Sequence, residues 1–158
     1  MTKSSRITVV VPTRNRPESL ERCLGHVAAQ EIDEPIEILV VDDASDEAGL
    51  VADVVARIAA ARVIRQPRKG PAAARNTGAR AASGSIICFT DDDCEPQPGW
   101  VAGLARALEG ERIVAGVTLN GGPDNPFALA SELVGKYFRE HSSVPFAASN
   151  NLATSALL

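Results

Sequence analysis

Short apolar runs recur along this chain, and segments with helical spacing separate them. "ITVVVP" (7–12), "IEILVVDD" (36–43), "RVIRQ" (62–66), "SIICFT" (85–90) and "RIVAGVTL" (112–119) read as strands. The stretches 17–30, 48–61, 71–82 and 98–110 read as helices, with proline at helix starts and glycine at stops. A strand with one wet face alternates apolar and polar residues; a strand covered on both faces does not. The pattern therefore predicts a single domain over 1–158 with a three-layer α/β/α architecture and a mostly parallel sheet, joined by right-handed crossovers. Beyond 120–126 the pattern weakens, and the expectation is a helix over 127–140 followed by an irregular tail.

Such sheets bind ligands beyond the C-terminal ends of their strands. Polar clusters sit at those ends: "PTRN" after the first strand, "DDAS" after the second, "TDDDC" after the fourth. Three adjacent carboxylates, Asp91, Asp92 and Asp93, repel one another unless something positive joins them. Hard cations such as Mg²⁺ or Mn²⁺ take one or two carboxylates together with phosphate oxygens. The glycine-rich phosphate loops are missing, since no GxGxxG follows the first strand and no GxxxxGK[ST] occurs. A metal on carboxylates is another way to hold a phosphate.

Sixteen basic and twenty acidic residues give a net charge of −4, which argues against a nucleic-acid partner. No apolar run reaches the roughly 20 residues of a membrane span, and the N-terminus lacks the apolar core of a signal peptide. The expected location is cytoplasmic. Cys23, Cys88 and Cys94 show no CxxC spacing and read as reduced thiols. Arg65, Arg68 and Lys69 read as a solvated basic loop, and Trp100 as a packing residue.

Two families share parts of this pattern. "EILVVDDAS" followed by a helix resembles the start of a response-regulator receiver domain, in which Asp42 and Asp43 would bind Mg²⁺ and Asp91 would accept a phosphoryl group. A full strand–helix unit precedes the acidic pair, however, and no suitably placed lysine follows. "VVVPTRN", "ILVVDDAS", "GPAAARNTGARAASG" and "IICFTDDDCEPQPGW", in that order, together resemble family 2 glycosyltransferases of the GT-A fold, over residues 7 to about 154.

That resemblance implies transfer of a sugar from a nucleotide diphosphate, usually UDP, to a hydroxyl with inversion, assisted by Mn²⁺ or Mg²⁺. It implies that Pro12 and Thr13 line the nucleobase pocket, with Asn15 supporting the loop. Asp43 would bond the base, and Arg75 the base or a phosphate, with Asn76 positioning that loop. Asp91 and Asp93 would be the acids of a DxD motif around the variable Asp92. Asp93 would contact the metal, and Asp91 the ribose or a metal-bound water. The acceptor would be a polysaccharide, a lipid carrier or a protein. The family's catalytic base follows the segment that "SNNLATSALL" resembles. None of Glu95, Glu109, Glu111, Asp124, Glu132 and Glu140 stands in that position. The expectation is a chain truncated ahead of its base, which binds donor, transfers little and self-associates through its apolar end.

Overall fold

The computed structural model describes residues 6–121, 126–141 and 148–156. The elements run β1 (Ile7–Thr13), α1 (Pro17–Ala28), β2 (Ile36–Asp43), α2 (Ala48–Ala56), β3 (Ala61–Gln66), α3 (Pro71–Ala81), β4 (Ile86–Thr90), α4 (Trp100–Ala107), β5 (Ile113–Ala115), α5 (Pro126–His141) and β6 (Asn151–Ser155). The sheet order is β3-β2-β1-β4-β6-β5. β3, β2, β1 and β4 pair in parallel, and β6 runs antiparallel between β4 and β5.

All seven residues of β1 are buried, because both faces of the sheet are covered. On one face Ile7, Val9, Val11, Ile38 and Val40 pack against Leu20, Leu24 and Val27 of α1, Val51 and Val55 of α2, and Val101 and Leu104 of α4. On the other, Val10, Leu39, Val41 and Phe89 meet α3 through Ala74. Each fully buried branched aliphatic contributes about 1.5–3 kcal/mol. α3 approaches closely enough that a Cβ on Gly78 would lie 2.3 Å from Val10 Cγ1.

Two expectations fail at the C-terminal part of the chain. The strand expected over 112–119 shrinks to Ile113–Ala115, and the tail expected to be irregular supplies β6. β6 carries mostly small and polar residues, with Leu152 its single large aliphatic, so neither composition nor periodicity marks it. Long-range pairing makes it a strand: Phe89 lies opposite Leu152, and Thr90 opposite Asn151. Asn151 is buried, donates to Val117 O at 3.0 Å and accepts from Trp100 Nε1 at 2.9 Å. Trp100 packs against the core as expected. Arg65 is no solvated loop residue; it lies on β3 and donates to Asp42 Oδ2 at 2.7 Å. Cys23, Cys88 and Cys94 are free thiols. Among the described residues, no helix is long and apolar enough to cross a membrane.

A polar knot closes the N-terminal edge of the sheet. Glu37 accepts from Thr8 Oγ1 at 2.6 Å, from Ser83 N and Oγ at 2.9 Å each, and from Arg62 Nε at 3.2 Å. Burial works to raise its pKa, but the donors outweigh burial and bring it from 4.5 down to about 2. A depressed carboxylate stabilises the fold above its unfolded pKa, and that share is lost as pH falls through the folded one. Denaturant midpoints of the wild-type chain should therefore drop between about pH 4.5 and 2. In Glu37→Gln that part of the slope should vanish, although the variant starts from lower stability at neutral pH.

Candidate functional site

The C-terminal ends of β1, β2 and β4 and the start of α3 enclose a cavity of about 550 Å³. Every site residue expected from sequence except Asn76 lines it: Pro12, Thr13, Asn15, Asp43, Arg75, Asp91, Asp92 and Asp93. Arg14, Arg16, Arg68 and Gly70 line it as well. Of these, only Arg68 stood out in the sequence. The "TRNRP" run was the available signal for the other two arginines, but nothing local says which way a loop arginine points.

The floor comes from β2. Asp43 is buried, and its carboxylate accepts from Gln66 Nε2 at 2.7 Å and from the backbone N–H groups of Lys69 and Gly70 at 2.8 Å each. Burial alone would raise its pKa; these three donors, helped by the charge of Arg14, hold it below the usual carboxylate range. Gly70, at φ 86°, makes the turn that brings its own N–H onto Asp43 and then leads into Pro71, the first residue of α3. Asp42 points elsewhere, to Arg65 and to Ser45 N at 2.9 Å.

The loop after β1 is clamped to the loop after β2. Asn15 Nδ2 donates to Asp46 Oδ2 at 2.8 Å, Asp46 N donates back to Asn15 Oδ1 at 2.8 Å, and Asn15 N donates to Ser45 Oγ at 2.9 Å. Asn15 and Ala44 both adopt left-handed backbone, at φ 56° and 60°. Asparagine tolerates that region; alanine pays roughly 1 kcal/mol or more for it.

The three consecutive aspartates have different surroundings. The middle side chain is 7% exposed, whereas those of Asp91 and Asp93 are 32% and 57% exposed. Asp92 accepts from Thr13 Oγ1 at 2.7 Å and from Arg16 Nη1 at 3.3 Å, which ties the β4 loop to β1. Burial pushes Asp92 above the usual carboxylate range, and the Thr13 bond and the Arg16 charge oppose that rise. Asp91 pairs with Arg75 Nη2, and Asp93 with Arg16 Nη1 at 3.1 Å. Below them, Cys23 Sγ and Cys94 N both donate to Asp91 O, at 3.3 and 3.1 Å. Burial raises the pKa of both thiols, which suits them to packing.

Asp91 and Asp93 fit a divalent cation by chemistry and placement. Both offer hard oxygens on the cavity wall, and each has one carboxylate oxygen outside the arginine contact. Among the described residues no group of three or more side chains could hold an ion by protein ligands alone. Two carboxylates completed by phosphate oxygens is the coordination Mg²⁺ and Mn²⁺ accept.

The chain is similar to known proteins over most of its length. The profile of the family described as glycosyl transferase family 2 matches residues 8–157. Glycosyltransferase AglE of Haloferax volcanii is 31% identical over 122 residues, covering 73% of this chain and 38% of that protein. The succinoglycan biosynthesis protein ExoW of Rhizobium meliloti is 41% identical over 98 residues, covering 56% and 30%. The solved mannosyltransferase PcManGT of Pyrobaculum calidifontis, in complex with GDP-Man and Mn²⁺, has a TM-score of 0.70 at 27% identity and covers 98% of this chain and 45% of that one. Glucosyl-3-phosphoglycerate synthase of Mycobacterium tuberculosis, in complex with UDP, has a TM-score of 0.67 at 26% identity, covering 96% and 57%. The chain spans well under two thirds of the length of each of these proteins. The receiver alternative finds no support: the family match is to a different family, and Asp42 is absent from the lining of the cavity that Asp43 and Asp91 share.

Thr13→Val should preserve shape while taking a donor from a buried carboxylate. The expected loss is about 1–3 kcal/mol in urea unfolding at neutral pH. An unchanged midpoint would show that the Thr13–Asp92 bond does not hold the two loops together.

Proposed function

Because the chain belongs to glycosyl transferase family 2, we propose that its cavity binds a nucleotide-diphospho-sugar, specifically a UDP-sugar, for inverting transfer to an acceptor hydroxyl. The observation that carries this reading is the convergence of Pro12, Thr13, Asp43, Arg75, Asp91 and Asp93 on one cavity at a parallel sheet edge. Its volume of about 550 Å³ suits a ligand of nucleotide size.

Asp43 supplies base selectivity. An ionised carboxylate has about four acceptor positions. Three are filled from within the chain. The remaining one takes the imide N–H of uracil, and the internal donors fix its direction before ligand arrives. Pro12 and Thr13 wall the base, and Asn15 holds their loop through its exchange with Asp46. Arg75 meets the diphosphate. Asp93 is the direct metal ligand, and Asp91 reaches the ribose or a metal-bound water. Asp92, buried between Thr13 and Arg16, sets the position of its two neighbours. A divalent cation bound here offsets the charge that builds on the departing diphosphate. The transfer is a single displacement: the acceptor oxygen bonds to the anomeric carbon as the bond to the diphosphate oxygen breaks, and the hydroxyl's proton passes to a general-base carboxylate.

Calorimetry tests this reading. UDP should bind with Mn²⁺ or Mg²⁺ and lose at least about tenfold in affinity under EDTA, about 1.4 kcal/mol. Asp93→Ala should remove that metal dependence. Asp43→Ala should narrow the gap between UDP and GDP while UDP binding still responds to EDTA. UDP affinity that is indifferent to chelation in the wild-type chain would sink the metal-bridged reading.

A further inference from the structure

Four aspartates and four arginines line the cavity: Asp43, Asp91, Asp92 and Asp93 against Arg14, Arg16, Arg68 and Arg75. With all of them ionised, their charges sum to zero. A divalent cation entering alone would leave the cavity positive, and a sugar-nucleotide diphosphate entering alone would leave it negative. The two together carry opposite charge and restore the balance. Pairwise contacts show the same state locally, because the open acids already have cationic partners: Asp93 holds Arg16, and Asp91 holds Arg75.

The two arginines differ in how they are held. Arg16 has a side chain 56% exposed and reaches both Asp92 and Asp93 through Nη1 alone. Its backbone is anchored, since Leu20 N bonds to Arg16 O at 3.0 Å as α1 begins. Exposed ion pairs of this kind are worth about 1 kcal/mol or less, so the side chain exchanges partners at small cost. Arg75 is 16% exposed, and its Nε–H is buried with no hydrogen-bond partner. A buried donor without an acceptor is unfavourable. The Arg75–Asp91 pair is thus an incompletely satisfied resting arrangement.

We infer that Arg16 and Arg75 compete with a divalent cation for Asp93 and Asp91. They neutralise Asp93 and Asp91 until metal and diphosphate arrive together, when the carboxylates pass to the metal and the guanidiniums to the diphosphate. The inference rests on the donor-binding reading for its second half; its first half concerns the carboxylates, the arginines and the metal alone. Metal and nucleotide binding are then positively coupled, and each raises the affinity for the other by the same factor.

The experiment is Mn²⁺ binding without nucleotide, followed by electron paramagnetic resonance, in the wild-type chain, Arg16→Gln, Arg16→Lys and Arg75→Gln, with circular dichroism as the check on folding. In Arg16→Gln, Mn²⁺ alone should bind about 3- to 10-fold tighter, because a part-screened competing charge is gone. UDP with Mn²⁺ should bind roughly tenfold weaker, so that the coupling shrinks. Arg16→Lys keeps the charge and should stay near the wild type for Mn²⁺ alone. Arg75→Gln should follow Arg16→Gln in direction; if it fails to fold, the exposed Arg16 carries the test. Unchanged or weaker Mn²⁺ binding in folded Arg16→Gln overturns the inference, whatever UDP does. Tighter Mn²⁺ binding in Arg16→Gln, with no UDP binding by the wild-type chain, would keep the competing role and remove the donor reading instead.

Discussion

Parallel pairing of β1 with both β2 and β4 forces three strand ends to the same edge of the sheet. Thr13 is in register with Asp42, and Val10 with Phe89. Three residues beyond that last pair, Thr13 and Asp92 meet through their side chains. Residues far apart in sequence become neighbours because strands buried on both faces leave no freedom of register: a slip by one residue would turn every core side chain to the wrong face. The cavity is therefore a product of the core. Its polar walls are the points where buried strands meet water.

Concentrating carboxylates at one edge creates an electrostatic problem that this chain solves in three ways. Asp43 is neutralised by backbone and amide donors, which cannot leave. Asp92 is held by a buried hydroxyl bond and a guanidinium it shares with Asp93. Asp91 and Asp93 have arginine side chains as their charged partners. The fixed solutions build the frame, and the arginine pairs lie on the cavity wall. The local backbone strain at Ala44 belongs to the fixed set, because the Asn15–Asp46 exchange on either side over-determines it.

Most of this could be read from residues alone, for a definite reason. β1, β2 and β4 are continuous apolar runs that end in polar clusters, so their type and parallel direction follow from local pattern, and with them the strand-end positions of Thr13, Asp43 and Asp91. β6 could not be read, because its five residues become a strand only by pairing with β4 and β5. The expected extension of β5 failed for the same cause in reverse: apolar residues beyond Ala115 found no strand partner. Arg16 was overlooked because a guanidinium on a loop acquires its partners from the far side of the site, here 76 and 77 positions away. Asp43 was recognised, but its three internal donors were not, since two of them are backbone groups.

The late position of β6 has a consequence for biosynthesis. Thr90 pairs with Asn151, so β4 emerges from the ribosome 151 − 90 = 61 residues ahead of the strand that covers its second edge. During that interval β1, already made, can pair with one side of β4, while the other side presents bare amide and carbonyl groups beside Ile86, Ile87 and Phe89. Bare apolar edges are templates for pairing with a neighbouring nascent chain. Asp91, Asp92 and Asp93 follow immediately, and three adjacent negative charges at the end of such a strand repel a second copy laid alongside it.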